Sequence, residues 1–492
     1  MVSFLSRIPR AWWLAGPLLL LLYLYGLTGA GLLGPDEPRY AAIGREMAQS
    51  GDWITPRLWG DPWFEKPALL YWMTAAGFRL GLGEELAPRL PVALLSVAFL
   101  VFFQRKLRSE FGDAASWSAT VILGTSPAWL GYSFIGAPDL PMTAAFAAAM
   151  LLSMEWFTAG NTRSLPWLAA LMGIAVLAKG LVPLVLALPL LWFARRRWMD
   201  LVRPRVVVPF LIVALPWYLL CYARNGMPFI RSFFLEHHFA RFTENTLMHQ
   251  QPFWFYAPVL LGALLPWTPL IAFAARRGLY ADMRMRFVLV WAAFGFLFFS
   301  AAKNKLPGYL LPLIPAVAIL MGCGIVRAKG ARWALPVVGL CLISVPVAIE
   351  IMPRALATGI SRAALPSPHW TWLLPVALAL GIFGLERRGG RPAALALTGF
   401  SVAACFLALK AVDLPAVDEA ASVRSFWQSI AAQRGSVCVA TMHRSWRYGL
   451  NYYSNNPLPD CTVALRPLQI RQQPGYPPQI VDAARPGDAA RP

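Results

Sequence analysis

Charge is scarce in this chain. Of its 492 residues, 14% are Asp, Glu, Lys or Arg and 58% are hydrophobic. A soluble domain carries about 25% charged residues, so a chain made mainly of soluble domains is excluded. The mean hydropathy of +0.53 indicates a polytopic membrane protein instead. Acid is scarcer than base, with 24 Asp and Glu against 44 Lys and Arg and a net charge of +20. That excess does not make a nucleic-acid surface, because the basic residues come in short clusters between apolar runs. Loops beside anionic headgroups account for it, and no nucleic-acid partner is expected. The five histidines include no HxH or HxxxH, and the six cysteines have no metal-type spacing. Cys221, Cys323, Cys341 and Cys405 lie in apolar runs and read as packing residues. No internal repeat stands out, and no A-x-A site follows the first apolar run, which therefore reads as a retained span.

What is present is a series of apolar runs long enough for a bilayer. They are expected at 12–32, 87–104, 115–135, 140–159, 165–178, 181–194, 205–222, 253–275, 286–302, 307–326, 333–352, 369–386 and 392–411. Alternating connections hold Arg105-Lys106-Arg108, Arg163, Arg195-Arg196-Arg197, Arg276-Arg277 with Arg284 and Arg286, Arg327-Lys329-Arg332 and Arg387-Arg388-Arg391. With thirteen spans all of them share a side with Arg7 and Arg10, which the positive-inside rule makes cytoplasmic. The reading is an all-α polytopic membrane domain over 1–411 and a small α/β carboxyl-terminal domain over 412–492, outside the membrane. In that domain Ser436 to Ala440 alternates as a strand does, Asn451 to Pro459 is turn-rich, and the segment beyond Gln469 reads as disordered. Cys438 and Cys461 are its cysteines and are expected to pair in an oxidising compartment.

The outer face collects the polar oddities. Pro35-Asp36-Glu37-Pro38-Arg39-Tyr40 follows the first span, where charge is expensive unless something uses it. Asp36 is either a helix-start residue facing the positive helix end or a reactive carboxylate kept ionised by Arg39. Glu37 reads as a helix-start residue alone. Phe64-Glu65-Lys66-Pro67 is either an interfacial ion pair or a site where Lys66 meets a phosphate. Asp139 is a cap or a second carboxylate. Glu236-His237-His238 with Arg241 is the best metal candidate, although the spacing favours a non-metal role. Lys179, Lys303 and Lys305 sit at outer span ends, where lysines snorkel, yet together they suit an anionic substrate.

The run Asp36-Glu37-Pro38-Arg39-Tyr40, Arg45-Glu46-Met47, Ser50-Gly51-Asp52-Trp53-Ile54, Phe64-Glu65-Lys66-Pro67 and Leu69-Leu70-Tyr71-Trp72 resembles the aminoarabinose lipid A transferases, within the superfamily of protein O-mannosyltransferases. The resemblance continues through Asp139, Ala178-Lys179-Gly180, Glu236 to Phe242 and Lys305 to Pro312, and covers about residues 12–330. It implies a GT-C type fold of thirteen spans in the bacterial inner membrane, amino terminus cytoplasmic and carboxyl terminus periplasmic. It also implies an undecaprenyl-phosphate-linked sugar donor, a lipid A acceptor and the lipopolysaccharide modification that underlies polymyxin resistance. By the same resemblance Asp36 is the catalytic carboxylate and Asp139 its partner. The residues expected to bind substrate or its phosphate are Arg39, Tyr40, Lys66, Lys179, Arg241, Lys303, Lys305 and Tyr309, of which the resemblance carries Lys66, Arg241 and Tyr309. Glu65 with His238 or His237 is the candidate site for a divalent metal, Zn or Mg/Mn. The doubled histidine departs from the single one of the family, and the carboxyl-terminal region carries no resemblance. A monomer is expected. The competing readings are transfer of another sugar, such as glucosamine or mannose, to protein or glycan, and transport of a lipid-linked sugar; a transporter would place its polar groups near the midplane.

The charge distribution makes a direct topological prediction. Alkaline phosphatase fused after Ala411 is expected to be active in a Gram-negative host and inactive when fused after Arg197; the opposite pattern overturns the orientation.

Overall fold

The computed structural model describes residues 10–233, 251–328, 330–359, 366–473 and 476–483. Each of the thirteen expected spans contains helix. Among the described residues, however, seven helices are long and apolar enough to cross a membrane, or eight if the bent pair Phe253–Ala263 and Thr268–Ala275 counts as one span. The difference comes from breaks inside the apolar runs. The run at 115–135 divides into Asp113–Gly124 and Pro127–Ser133 at Ser126-Pro127, and the run at 181–194 divides into Val182–Leu186 and Leu188–Phe193 at Ala187, two residues before Pro189. Leu165–Lys179 has 15 residues, which reaches about 22 Å against a hydrocarbon core of about 30 Å. Hydropathy registers an apolar run but not whether it stays one straight helix.

Asp139–Ala159 and Pro307–Arg327 are the most enclosed of the long helices. Pro204–Asn225 turns Val208, Leu211, Ile212, Leu215, Leu219 and Leu220 outward, as a lipid-facing helix must. The connection after the first helix, Arg10–Leu24, carries its own structure. Its main helix, Asp36–Ser50, starts with two acids at the positive helix end and stops at Gly51, whose φ of 72° lets its N–H reach back to Met47. Asp52 then caps a turn by accepting from the N–H groups of Ile54 and Thr55, and Arg224 pairs with it at 2.7 Å. The helix Leu69–Arg79 packs so close to the next one that a Cβ on Gly77 would lie 2.5 Å from the Ala87 carbonyl oxygen.

One buried ion pair joins these pieces. Arg89 enters the span Leu86–Phe111 fully buried, and its Nε and Nη2 donate to Glu37 at 2.7 and 2.8 Å. Its other N–H groups donate to the carbonyls of Leu27, Ala30 and Gly31. Glu37 also accepts from the N–H groups of Leu33 and Gly136. The expectation that Glu37 only starts a helix is therefore corrected. Its carboxylate binds two of the connections expected to lie outside to one span, and the guanidinium closes the chain reversal after the first helix.

The last long helix, Arg391–Ala421, has 31 residues and reaches about 46 Å, more than a bilayer core needs. The expected domain boundary at 411/412 thus falls inside a helix, because Ala and Leu continue past the membrane edge. Beyond it, β3 (Val437–Thr441) pairs parallel with β4 (Leu468–Arg471), and β4 pairs antiparallel with β5 (Gln479–Asp482); β1 (Arg57–Leu58) and β2 (Asp61–Pro62) form a hairpin in the first outer connection. Part of the segment expected to be disordered is therefore strand, since Ile470 and Ile480 pair across β4 and β5 beside buried Val439. Cys438 and Cys461 are bonded. The start of the region expected to be turn-rich is also helix, the end of Arg444–Tyr453. This carboxyl-terminal unit is seated on the first outer connection. Asp418 accepts from Gly31 N–H at 2.7 Å, Tyr453 Oη accepts from Leu32 N–H, and Tyr452 Oη donates to the Glu84 carbonyl.

Breaking the central pair strands a charge in a buried site. Arg89→Met is expected to cost about 3–5 kcal/mol, read as a lowered unfolding midpoint in detergent. Adding Glu37→Leu is expected to recover part of that loss, because backbone groups stay unpaired; an Arg89→Met protein that melts with the wild type contradicts this role.

Candidate active site

Asp36 opens the loop helix with its side chain 54% exposed, and Arg39, one turn on, binds it at 2.6 Å. The same Nη2 lies 2.9 Å from Glu65, whose other oxygen is 3.3 Å from Lys66 Nζ. Carboxylate, guanidinium, carboxylate and ammonium thus alternate along one line, the last three largely buried. Burial alone would weaken the Arg39 charge, but the carboxylates of Glu65 and Asp36 outweigh it and hold its pKa above the ordinary value. Tyr40 and Tyr71 are buried against this line. Burial first, then the negative charge of Glu65 and Asp36, pushes both phenols well up, so they stay protonated and can donate but not act as bases.

Asp139 begins the enclosed helix Asp139–Leu152 and pairs with Lys179, the last residue of Leu165–Lys179, at 2.5 Å. The ammonium also lies 5.1 Å from the centroid of Tyr309. Two links join this second cluster to the first. Glu37 holds the Gly136 N–H three residues before Asp139, and Tyr132 feels the charges of both Asp139 and Asp36 together with Tyr309 and Tyr256. Asp36 and Asp139 are thus tied through the Glu37–Gly136 contact, but they stand in different states. Asp139 is 16% exposed and closed off by its lysine, while Asp36 is open.

The other expected residues divide. Lys305 is buried and donates to the carbonyls of Gln251 and Ala302, which fixes the turn before Tyr309. Lys303 is exposed beside it. His237, His238 and Arg241 lie outside the described residues, as does Glu236. Of the metal candidates this leaves Glu65, whose oxygens face two cations, Arg39 and Lys66. No group of three His, Cys, Asp or Glu able to hold a metal occurs among the described residues. The described donors do not fit a metal ion. Sequence reasoning missed Arg89 and Tyr132. Arg89 carried a signal, a lone charge at the start of an apolar span that needs a buried partner; Tyr132, inside an apolar run, carried none.

Residues 65–219 match the family model for dolichyl-phosphate-mannose-protein mannosyltransferases. The chain is 36% identical over 336 residues to the undecaprenyl phosphate-alpha-4-amino-4-deoxy-L-arabinose arabinosyl transferase of Edwardsiella ictaluri, covering 65% of this chain and 60% of that one. It is 34% identical over 324 residues to the protein of the same name from Pseudomonas aeruginosa, covering 62% and 58%. The chain therefore spans less than two thirds of the length of these relatives. In structure it superposes on ArnT from Cupriavidus metallidurans bound to undecaprenyl phosphate with a TM-score of 0.74 and 27% identity, over 92% of this chain and 86% of that one. The resemblance read from the motifs of the first outer connection holds in sequence over most of the chain and in fold over nearly all of it.

The Asp139–Lys179 contact predicts coupling. Turnover of Asp139→Asn, Lys179→Met and the double variant is expected to show an interaction of about 1–3 kcal/mol. Additive losses would separate the two residues.

Proposed function

We propose that the protein is an inner-membrane glycosyltransferase that moves a sugar, in the leading reading 4-amino-4-deoxy-L-arabinose, from undecaprenyl phosphate to lipid A with inversion at the sugar. The observation that carries this is the open carboxylate of Asp36 at the head of the Arg39–Glu65–Lys66 line, with Asp139–Lys179 and Tyr309 alongside. The names of the relatives and the likeness to a structure holding undecaprenyl phosphate support the donor. In this reading the site faces the periplasm, the amino terminus is cytoplasmic and the carboxyl terminus periplasmic. The unit works as a monomer, and its product alters lipopolysaccharide and polymyxin sensitivity.

The leaving group is a lipid phosphate, stable as an anion, so departure needs no general acid. The protein has to neutralise that phosphate and orient the acceptor. Lys66, Tyr309 and Arg241 take the first task, and Lys66 brings a compact charge held in place by Glu65. Asp36 takes the second. It removes the proton of an acceptor hydroxyl, or orients an acceptor phosphate and stabilises positive charge on the sugar. Arg39 keeps it aimed by donating to its Oδ1. Asp139 supports Lys179 beside the phosphate-binding Tyr309.

The match to the mannosyltransferase family model supports a second reading, transfer of mannose or another sugar to protein or glycan by the same site. A panel of undecaprenyl-phosphate sugars incubated with purified protein separates the two. Release of free undecaprenyl phosphate is expected from the aminoarabinose donor, with lipid A gaining the sugar. Asp36→Asn is expected to lower turnover at least about a hundredfold while leaving the melting curve in place. Near-normal turnover in that variant would sink the assignment.

A further inference from the structure

The hairpin between β1 and β2 breaks a rule of turn chemistry. Its two central residues, Trp59 and Gly60, both have positive φ, at 55° and 91°. Such a turn is ordinarily built from Asn-Gly or Gly-Gly, because a bulky side chain is strained in that conformation. Trp59 remains there, and its ring stacks on Tyr448 of the carboxyl-terminal unit, centroids 5.7 Å apart and planes at 19°. Tyr448 in turn lies 5.4 Å from the Arg39 guanidinium, and Trp63, just past the hairpin, lies 5.5 Å from it on its own account. The rings of both tryptophans and of Tyr448 are half-buried. Three donors in this cluster are buried with no acceptor among the described residues: Nε1 of Trp59, Nε1 of Trp63 and Nε of Arg39. Each costs free energy until an acceptor arrives.

We infer that Trp59, Trp63 and Tyr448 form a saccharide subsite beside the Asp36–Arg39 pair, completed by the carboxyl-terminal unit, and that it takes a phosphorylated sugar headgroup. This rests on the glycosyl-transfer reading and extends it. Flat aromatic rings cover the C–H face of a sugar ring, and the unpaired N–H groups suit its hydroxyl or phosphate oxygens. Because those N–H groups are shielded, the stack of Trp59 on Tyr448 parts as the headgroup enters. Arg39 reports that event directly to Asp36, which it binds at 2.6 Å. The same chemistry is present in the sugar phosphate of the donor and in the headgroup of the acceptor.

The test uses the full chain in detergent, with undecaprenyl phosphate-linked 4-amino-4-deoxy-L-arabinose as donor and lipid A as acceptor. Trp63→Phe keeps a ring and removes one donor, Tyr448→Leu removes the carboxyl-terminal ring, and Trp59→Asn installs the residue the turn prefers. Each is expected to raise one KM about tenfold with a smaller change in kcat. A rise in the lipid A KM assigns the subsite to the acceptor, and a rise in the donor KM assigns it to the donor sugar. Trp59→Asn is expected to lose affinity without losing thermal stability, which a packing residue would not do. Unchanged KM values for both substrates, or a fall in Trp59→Asn stability that accounts for the loss, overturn the subsite. If the wild type consumes no donor, the transferase reading itself fails. Equilibrium binding of lipid A and of the donor then still tests the subsite, and equal binding by wild type and Trp63→Phe overturns it.

Discussion

Glu37 and Arg89 form a fully buried ion pair in which each guanidinium N–H and both carboxylate oxygens have partners. Two charges removed from water gain nothing unless their hydrogen bonds are complete. Here they are complete because three separate segments converge on them: the reversal at 27–31, the head of Asp36–Ser50, and the approach to Asp139 at Gly136. The pair therefore acts as a geometric constraint more than as a source of stability. Asp36 is the immediate neighbour of Glu37, and Asp139 lies three residues beyond Gly136. Both candidate carboxylates inherit their positions from this one contact.

The site built on that constraint separates two acids by environment. Asp139 is enclosed and matched by Lys179, whereas Asp36 stays open and shares its guanidinium with Glu65. Pairing each acid with a base keeps the region near neutrality, so an anionic ligand would not meet a field of bare carboxylates. The carboxyl-terminal unit belongs to the same construction. Asp418, Tyr452 and Tyr453 bind the backbone of the first outer connection, and Tyr448 reaches the surroundings of Arg39. A unit with no recognisable motif thus supports the candidate site.

Much of the site was legible in the chain itself. Asp36, Arg39, Glu65 and Lys66 are close in sequence and stand out against an apolar background, so their chemistry could be suspected before any contact was known. Asp139 and Lys179 were legible as charges at span ends, though not as partners. Glu37 was misjudged because a helix-start acid and a buried counter-ion look alike until Arg89, 52 positions away, is placed against it. The tail beyond Gln469 was misjudged because β4 is a strand only in the company of β3.

The sequence by itself determined the membrane character and the helical content of the thirteen apolar runs. Those properties follow from local composition, since apolar runs seek lipid and charges avoid it. Only the tertiary structure decided which runs stay straight enough to span, which charges pair, and that Trp59 tolerates a strained turn to meet Tyr448. These outcomes depend on segments far apart in the chain, and no local pattern carries that information.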